Sequence, residues 1–266
     1  MSNYTRSSNR ADSVARLHSL RVVALALAVV TGCLATVEAV RVSSAADEAT
    51  PAAKTPEWKP LFDGKTLKNW KSSQFGGEGE VAVKDGMIVM QQGSEMTGVT
   101  WTGGDLPKIN YEISLMAQRI DGSDFFCGLT FPIKEDPCSF IVGGWGGGVV
   151  GISSLDGLDA ASNETSRYES FQKGRWYKIR MRVTEKGLMG WIDDQQVIGV
   201  ETKGRKISIR PEVELSRPLG VSCYSTVSGL KDIKIRELTK AEAEAAIKPA
   251  EPTKDEETKP AKKDAK

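Results

Sequence analysis

The densest chemistry in the chain lies between Phe125 and Thr165, FFCGLTFPIKEDPCSFIVGGWGGGVVGISSLDGLDAASNET. Gly143, Gly144, Gly146, Gly147, Gly148 and Gly151 crowd around Trp145 and Val149, and the run closes on oxygen side chains at Asp156, Asp159, Asn163, Glu164 and Thr165. Glycine lets backbone approach a ligand closely, and an exposed indole stacks on the apolar face of a sugar ring. The same glycines also fit a bulged, bent strand with Trp145 plugging the core beneath it. The oxygens have two readings as well. Asp156, Asp159, Asn163 and Glu164 offer ligands to a hard cation, Ca²⁺ or another divalent ion, with Asp156 and Asp159 as the metal candidates. Their spacing is not that of an EF-hand loop, and Asp, Asn and Ser are equally the ordinary residues of turns.

Other chemistry is excluded. The only histidine is His18, inside an apolar leader, so a matured chain has no Ser-His-Asp or Cys-His mechanism and no histidine-based zinc site. Proton transfer falls to Asp, Glu, Tyr or Lys, with burial and neighbouring charge setting the pKa. Asp124, just before Phe125-Phe126, either stands at the start of a strand facing a cleft or ends the preceding turn. Arg210, Glu212 and Glu214 alternate in IRPEVEL; on a continuing strand they share one face, either wet or lining a polyol cleft, although Pro211 counts against a central strand. Cys127 and Cys138 flank Lys134-Glu135-Asp136-Pro137, which reads as a hairpin turn. They are either bridged or buried free thiols, and a turn centred there sets Cys127 several residues from the position opposite Cys138.

These residues must be carried by something, and the two ends of the chain do not carry them. Residues 1–34 read as an export segment: Arg6, Arg10, Arg16 and Arg21 precede the apolar Val22–Val30 stretch, which is short for a membrane span. Val30-Thr31-Gly32-Cys33 resembles a lipobox, giving Cys33 as a lipidation site; the alternative is ordinary cleavage after Ala39 or Ala46. The expected address is the periplasm, or a lipid anchor at the outer membrane or cell surface. Residues 35–55 form a small, polar tether, and 239–266 an Ala-, Lys-, Glu- and Pro-rich tail with a helical turn or two at Lys240 to Ile247. A net charge of +1 gives no basic field for nucleic acid, so the expected partner is a carbohydrate, with the membrane touched only through the lipid.

Residues 56–238 form one domain of about 180 residues, enough for a full core. Asp85-Gly86 between two apolar runs is a hairpin signal. Tyr111, Ile113, Leu115 and Ala117 alternate with period two, as do Tyr177, Ile179, Met181 and Val183 against Lys178, Arg180 and Arg182. Gly187 to Val200 turns at Asp193-Asp194, and Lys206–Arg210, Leu219–Tyr224 and Leu230–Leu238 continue the pattern. No segment of the core holds helical periodicity over three turns. The prediction is all-β, a two-sheet antiparallel sandwich of the concanavalin-like jelly-roll kind.

The ordered segments WKPLFDGKTLKNW, VKDGMIVM, NYEISLMAQ, GRWYKIRMRV, WIDDQQV and PLGVSCYSTVSGLKDIKIREL resemble the bacterial 3-keto-disaccharide hydrolase domain family over most of Trp58 to Leu238. That resemblance implies a jelly roll, export, and action on glycosides oxidised at C3. The ketone acidifies C2–H, so a base removes that proton and the aglycone leaves C1. Many members of the family carry an Asn-Ser-Gly-type strand where this chain has Ser123-Asp124-Phe125-Phe126-Cys127-Gly128, so site residues do not transfer position by position. Local chemistry alone names Asp124 and Glu164 as acid/base candidates, with Trp145, Asp156, Asn163 and Arg167 contacting sugar.

Overall fold

A computed structural model describes residues 56–250; the expected leader, Cys33 and tether lie outside the described residues, as does the tail beyond 250. The chain opens with β1 (Lys59–Pro60), β2 (Trp70–Ser72), β3 (Val81–Lys84), β4 (Met87–Met90) and β5 (Thr97–Trp101). It continues through β6 (Tyr111–Gly122), β7 (Cys127–Ile133), β8 (Asp136–Gly144), β9 (Val149–Ser153) and β10 (Arg167–Tyr168). Then come β11 (Tyr177–Val183), β12 (Gly187–Ile192) and β13 (Gln195–Glu201), a 3₁₀ turn (Pro211–Ser216), β14 (Gly220–Cys223), β15 (Thr226–Glu237) and α1 (Lys240–Glu244).

All strand pairs are antiparallel, and they form two sheets of the expected jelly-roll sandwich. Sheet A has the order β13-β12-β11-β6-β15-β4-β3, with β1 also paired to β15; sheet B has the order β10-β9-β8-β7-β14-β5-β2. The alternation legible in the sequence is what packs them. Ile113, Leu115 and Ala117 of β6, with Ile179 and Met181 of β11, meet Leu129 and Phe131 of β7, Phe140 of β8 and Val221 of β14, all fully buried. Successive side chains of a strand point to opposite faces, so each core residue leaves its neighbour on the sheet's other side. On sheet B those neighbours are Gly98, Thr100, Gly128, Thr130, Ser139, Ser153 and Ser222. This face, floored by short side chains, positions the site.

The turns follow their residue chemistry. Asp85 and Gly86 take φ of 50° and 78°, the two positive values that a type I′ hairpin needs, and join β3 to β4. Asp193 (φ 54°) starts the turn between β12 and β13. One expected strand is corrected. Lys206–Arg210 forms only a bridge, Ile207 with Leu155, and the IRPEVEL segment becomes the 3₁₀ turn with Pro211 in its first residues. Proline fixes φ and lacks the N–H that a ladder needs, so the chain turns there instead of continuing. The short helix expected after Thr239 is present, held by a reciprocal cap between Thr239 and Glu242. Among the described residues no helix is long and apolar enough to cross a membrane.

Candidate functional site

The hairpin joining β8 to β9 carries Trp145 at its tip. Trp145 sits at φ 49°, followed by Gly146 at 86° and Gly147 at 111°, and the amides of Gly147 and Gly148 return to the Gly144 carbonyl at 3.1 and 3.2 Å. A side chain at two of the surrounding glycines would meet a neighbour. A Cβ at Gly148 would lie 2.3 Å from the Tyr168 ring, and one at Gly143 would lie 2.6 Å from Arg119 Nη2. Trp145 is 43% exposed, so the indole stands outside the core and does not plug it.

Arg119, an arginine that the sequence reading did not single out, holds this tip from below. It is the next inward position after Ala117 on β6, only 5% exposed, with its guanidinium 5.2 Å from the centre of the Phe126 ring. Its Nη2 donates to the carbonyls of Asp124 (3.0 Å), Gly143 (3.1 Å) and Gly147 (2.9 Å), and Nε donates to Asp124 O at 3.2 Å. Burial lowers the Arg119 pKa from its ordinary value, while the Asp124 charge opposes that shift. The signal for it in the sequence was a charged residue on the apolar phase of an alternating strand, which must find partners inside.

Asp124 clamps the same tip from the side. Its Oδ1 accepts from the Phe125 amide (2.7 Å) and its Oδ2 from the Gly146 amide (2.9 Å), one residue past the indole. Its backbone is fixed in turn by Thr226 Oγ1, which exchanges bonds with the Asp124 amide and carbonyl. Phe125 then stacks on Tyr224 with ring centres 6.2 Å apart.

Together these groups form one side of a groove of about 370 Å³ on the outer face of sheet B. Ser139, Ile141 and Ser153 floor it, with Ser139 directly opposite Ser153 on the neighbouring strand. Asp124, Phe125, Trp145 and Tyr224 line it from the hairpin side, and Arg210, Glu212 and Val213 from the 3₁₀ turn; Glu95 and Met96 complete the lining. Arg210 donates to Glu212 Oε1 (2.7 Å) and to Asp159 Oδ2 (3.0 Å). The Arg210 hydrogen bond holds the Glu212 carboxyl below its usual range, so it is ionised at neutral pH. The alternation of Arg210 and Glu212 brings both into the cleft despite the lost strand, whereas Glu214 turns away to pair with Arg217.

The remaining sequence candidates lie elsewhere. Glu164 and Asp156 both pair with Arg205, and both carboxyls are held below their usual ranges: Glu164 by Arg205, Asp156 first by the Lys206 amide and then by Arg205. Asn163 is buried inside its own loop, where Nδ2 donates to the carbonyls of Ile152, Leu158 and Asp159, and Oδ1 accepts from the amide and hydroxyl of Thr165. Arg167 is buried on β10, donating to Val197 O at 3.3 Å and standing 3.3 Å from Glu169. The structure therefore brings Asp124 and Trp145 together in the groove and leaves Glu164, Asp156, Asn163 and Arg167 out of its lining. Asp159 reaches the groove only through Arg210. Among the described residues no group of three or more His, Cys, Asp or Glu is arranged to hold a metal ion. Cys127, Cys138 and Cys223 are free, buried thiols.

Comparison with solved structures finds sandwiches of sugar-related and uncharacterised proteins. The carbohydrate-binding module CBM66 from Bacillus subtilis matches at 10% identity and a TM-score of 0.43, over 64% of this chain and 96% of its own. Domain 4 of a GH43 extracellular arabinanase from Geobacillus stearothermophilus matches at 12% identity and a TM-score of 0.43, over 65% and 85%. A Bacillus subtilis protein of unknown function with a galectin-like fold matches at 7% identity and a TM-score of 0.46, over 69% and 96%. Likeness at this level says nothing about function. No curated protein matches the chain. A family match does, running from residue 57 to residue 236 and so across both sheets and the groove between Asp124 and Tyr224: the chain belongs to the 3-keto-alpha-glucoside-1,2-lyase-like domain family.

Proposed function

We infer that the groove on sheet B binds a sugar, and that the protein is an exported hydrolase or lyase acting on glycosides with a ketone at C3. One observation carries this reading: a half-exposed indole and a stacked Phe125–Tyr224 pair share a hydroxyl-floored groove with Asp124, Glu95, Glu212 and Arg210. The aromatic groups offer apolar surface to a pyranose face, and the charged groups offer hydrogen bonds to its hydroxyls. Family membership supplies the keto-sugar class.

In this reading the groove side chains carry the proton transfers of the reaction. An ionised carboxylate takes the C2 proton, the C2–H electron pair forms the C1–C2 double bond, and the C1–O bond breaks with its electrons leaving on the aglycone oxygen. Asp124 is the base that the geometry fits best, because two backbone amides fix its position. In this reading Arg210 steadies enolate charge on the C3 oxygen, and the Tyr224 phenol protonates the leaving oxygen. Water added across the resulting enone completes hydrolysis. A second reading, a glycan-binding module without turnover, is favoured by the same two amide bonds, since they also describe a carboxylate that only clamps a loop.

The test is incubation of the purified full chain with a methyl 3-keto-α-glucoside and with 3-keto-trehalose, following aglycone release and enone absorbance. The expected outcome is turnover that falls by about 100-fold or more in Asp124→Asn. Sugar binding without turnover, with and without added Ca²⁺, selects the binding module. Turnover undiminished in both Asp124→Asn and Glu212→Gln removes the groove carboxylates from the chemistry.

A further inference from the structure

The sequence presents Cys127 and Cys138 as the pair to bridge, and the fold separates them. Across β7 and β8, Cys138 stands opposite Phe131, and Cys127 opposite Val142. The strand on the other side of β7 gives Cys127 a different neighbour. There β14 runs antiparallel with Gly220 opposite Thr130, Val221 opposite Leu129 and Ser222 opposite Gly128. One more step in the same register sets Cys223 opposite Cys127. A Cβ built on Gly128 would lie 3.0 Å from Ser222 Oγ, so the strands still face each other directly at the preceding step.

Both thiols point into the core. Cys127 lies on the face of Leu129 and Phe131, and Cys223 on the face of Val221; they are 0% and 1% exposed. We propose that Cys127 and Cys223 are a cross-strand disulfide site, oxidised when the chain folds in a compartment supplied with a disulfide-bearing oxidant. This rests on the export reading for where it happens, and on the register alone for which thiols pair. One thiolate attacks the oxidant disulfide and forms a mixed disulfide, releasing one thiol. The second thiolate attacks the mixed disulfide and releases the other. Two cysteine thiols are oxidised, one oxidant disulfide is reduced, and the two protons pass to the released thiols.

Geometry permits the closure at modest strain. Directly opposed residues in an antiparallel pair hold Cβ atoms about 4.5–5.5 Å apart, and a disulfide draws them to about 3.5–4.5 Å. The required approach is about 1 Å, and it falls where both strands end: Cys127 begins β7, and Cys223 closes β14 before Ser225 turns at φ 46°. The Cys223 thiol gives up one weak bond, to Thr226 O at 3.3 Å. Burial raises the Cys127 thiol and pushes Cys223 up to about 12, so neither supplies thiolate in the folded state, and oxidation belongs to folding, before the sandwich closes. The staple would tie β7 to β14 two residues below the stacked Phe125 and one residue from Tyr224, fixing that wall of the groove.

The test separates the pairing from the compartment. The full chain is denatured, reduced and refolded in a glutathione redox buffer, then alkylated under denaturing conditions and digested. The expected product is a peptide joining Cys127 to Cys223, with Cys33 and Cys138 alkylated. It should survive in Cys138→Ala, disappear in Cys223→Ala, and raise the Tm of the refolded chain by about 5–10 °C over its reduced form. Alkylation of all four cysteines after refolding at every glutathione ratio overturns the proposal, as does a link from Cys127 to any other cysteine. A Cys127–Cys223 link in vitro, with full alkylation of chain recovered from cells, leaves the pairing standing and removes the export reading.

Discussion

The outer faces of the two sheets bury polar groups in opposite ways. On sheet A, Glu112 is 1% exposed and takes Arg180 at 3.1 Å, Arg182 at 2.7 Å and Arg236 at 3.1 Å. Arg180 also lies 3.9 Å over the centre of the Trp191 ring, and Glu242 of α1 bridges Arg182 and Arg236. On sheet B the equivalent positions are short hydroxyls that pair locally: Ser73 with Thr100 at 2.7 Å and Thr130 with Ser139 at 2.9 Å. Long charged side chains fill the space above their sheet and satisfy one another there. Short hydroxyls do not reach far above their sheet, and they leave volume. The groove is thus a consequence of side-chain length on one face, and the charge-rich face is the one devoted to holding the fold.

The strongest way to break this contrast is to remove the central carboxylate of sheet A. Glu112→Ala leaves three arginines around a buried site with no counter-charge from β6, which typically costs about 3–5 kcal/mol. Urea denaturation of the full chain should show that loss as a lower midpoint with an unchanged slope. A loss under about 1 kcal/mol would mean that solvent or Glu242 already balances the arginines, and the sheet A face would then be no more committed to stability than sheet B. The next largest effect should appear on the other face, with little cost in stability. Trp145→Ala is expected to weaken sugar binding by about tenfold or more, equivalent to about 1.4 kcal/mol. Because the indole is 43% exposed, its removal should change unfolding by no more than about 0.5 kcal/mol. Titration calorimetry and a melting curve on the same sample read both numbers. A large drop in Tm would return Trp145 to the role of a core plug.

The same contrast decides what could be read without a structure. Period-two alternation in Tyr111–Ala117 and Tyr177–Val183, and Asp85-Gly86 as a turn, depend on local rules, so strands, hairpins and the sandwich were legible. Trp145 and Asp124 stood out because glycine density and a charge beside two phenylalanines are local anomalies, and both line the groove. Glu164, Asp156 and Asn163 read as site residues for the same local reason, yet their partners, Arg205 and the Thr165 side chain, turn them into loop fasteners. What the groove adds, Tyr224 and Glu95, comes from positions more than 100 residues apart along the chain. Their convergence depends on sheet order, which periodicity does not encode. Pro211 shows the converse: it foretold the break in the strand, and Arg210 and Glu212 still reached the cleft from the turn that replaced it.

The smallest expected effect tests how far the charge logic of sheet A extends into the C-terminal helix. Arg236 is the main cause of a Glu242 pKa lowered from the ordinary 4.5 to about 2, with the Thr239 amide and Arg182 adding to it. A carboxyl that is lowered on folding contributes stability at pH above its unfolded value and loses it as pH falls through the folded one. The docking of α1 should therefore be intact at pH 5 and above, weaken between about pH 4.5 and 2, and be gone below that, while the sandwich is still hydrogen-bonded. Hydrogen exchange at the Ala243 amide, which donates to Thr239 O at 2.9 Å, reads this helix directly. In Glu242→Gln the same amide should exchange quickly at neutral pH and show no further acid step. If that amide stays equally protected in both proteins from neutral pH down to about pH 2, the helix is held by its Thr239 cap and not by the arginines. The charge network of sheet A then ends at Glu112, and Arg182 and Arg236 are held within the sheet itself.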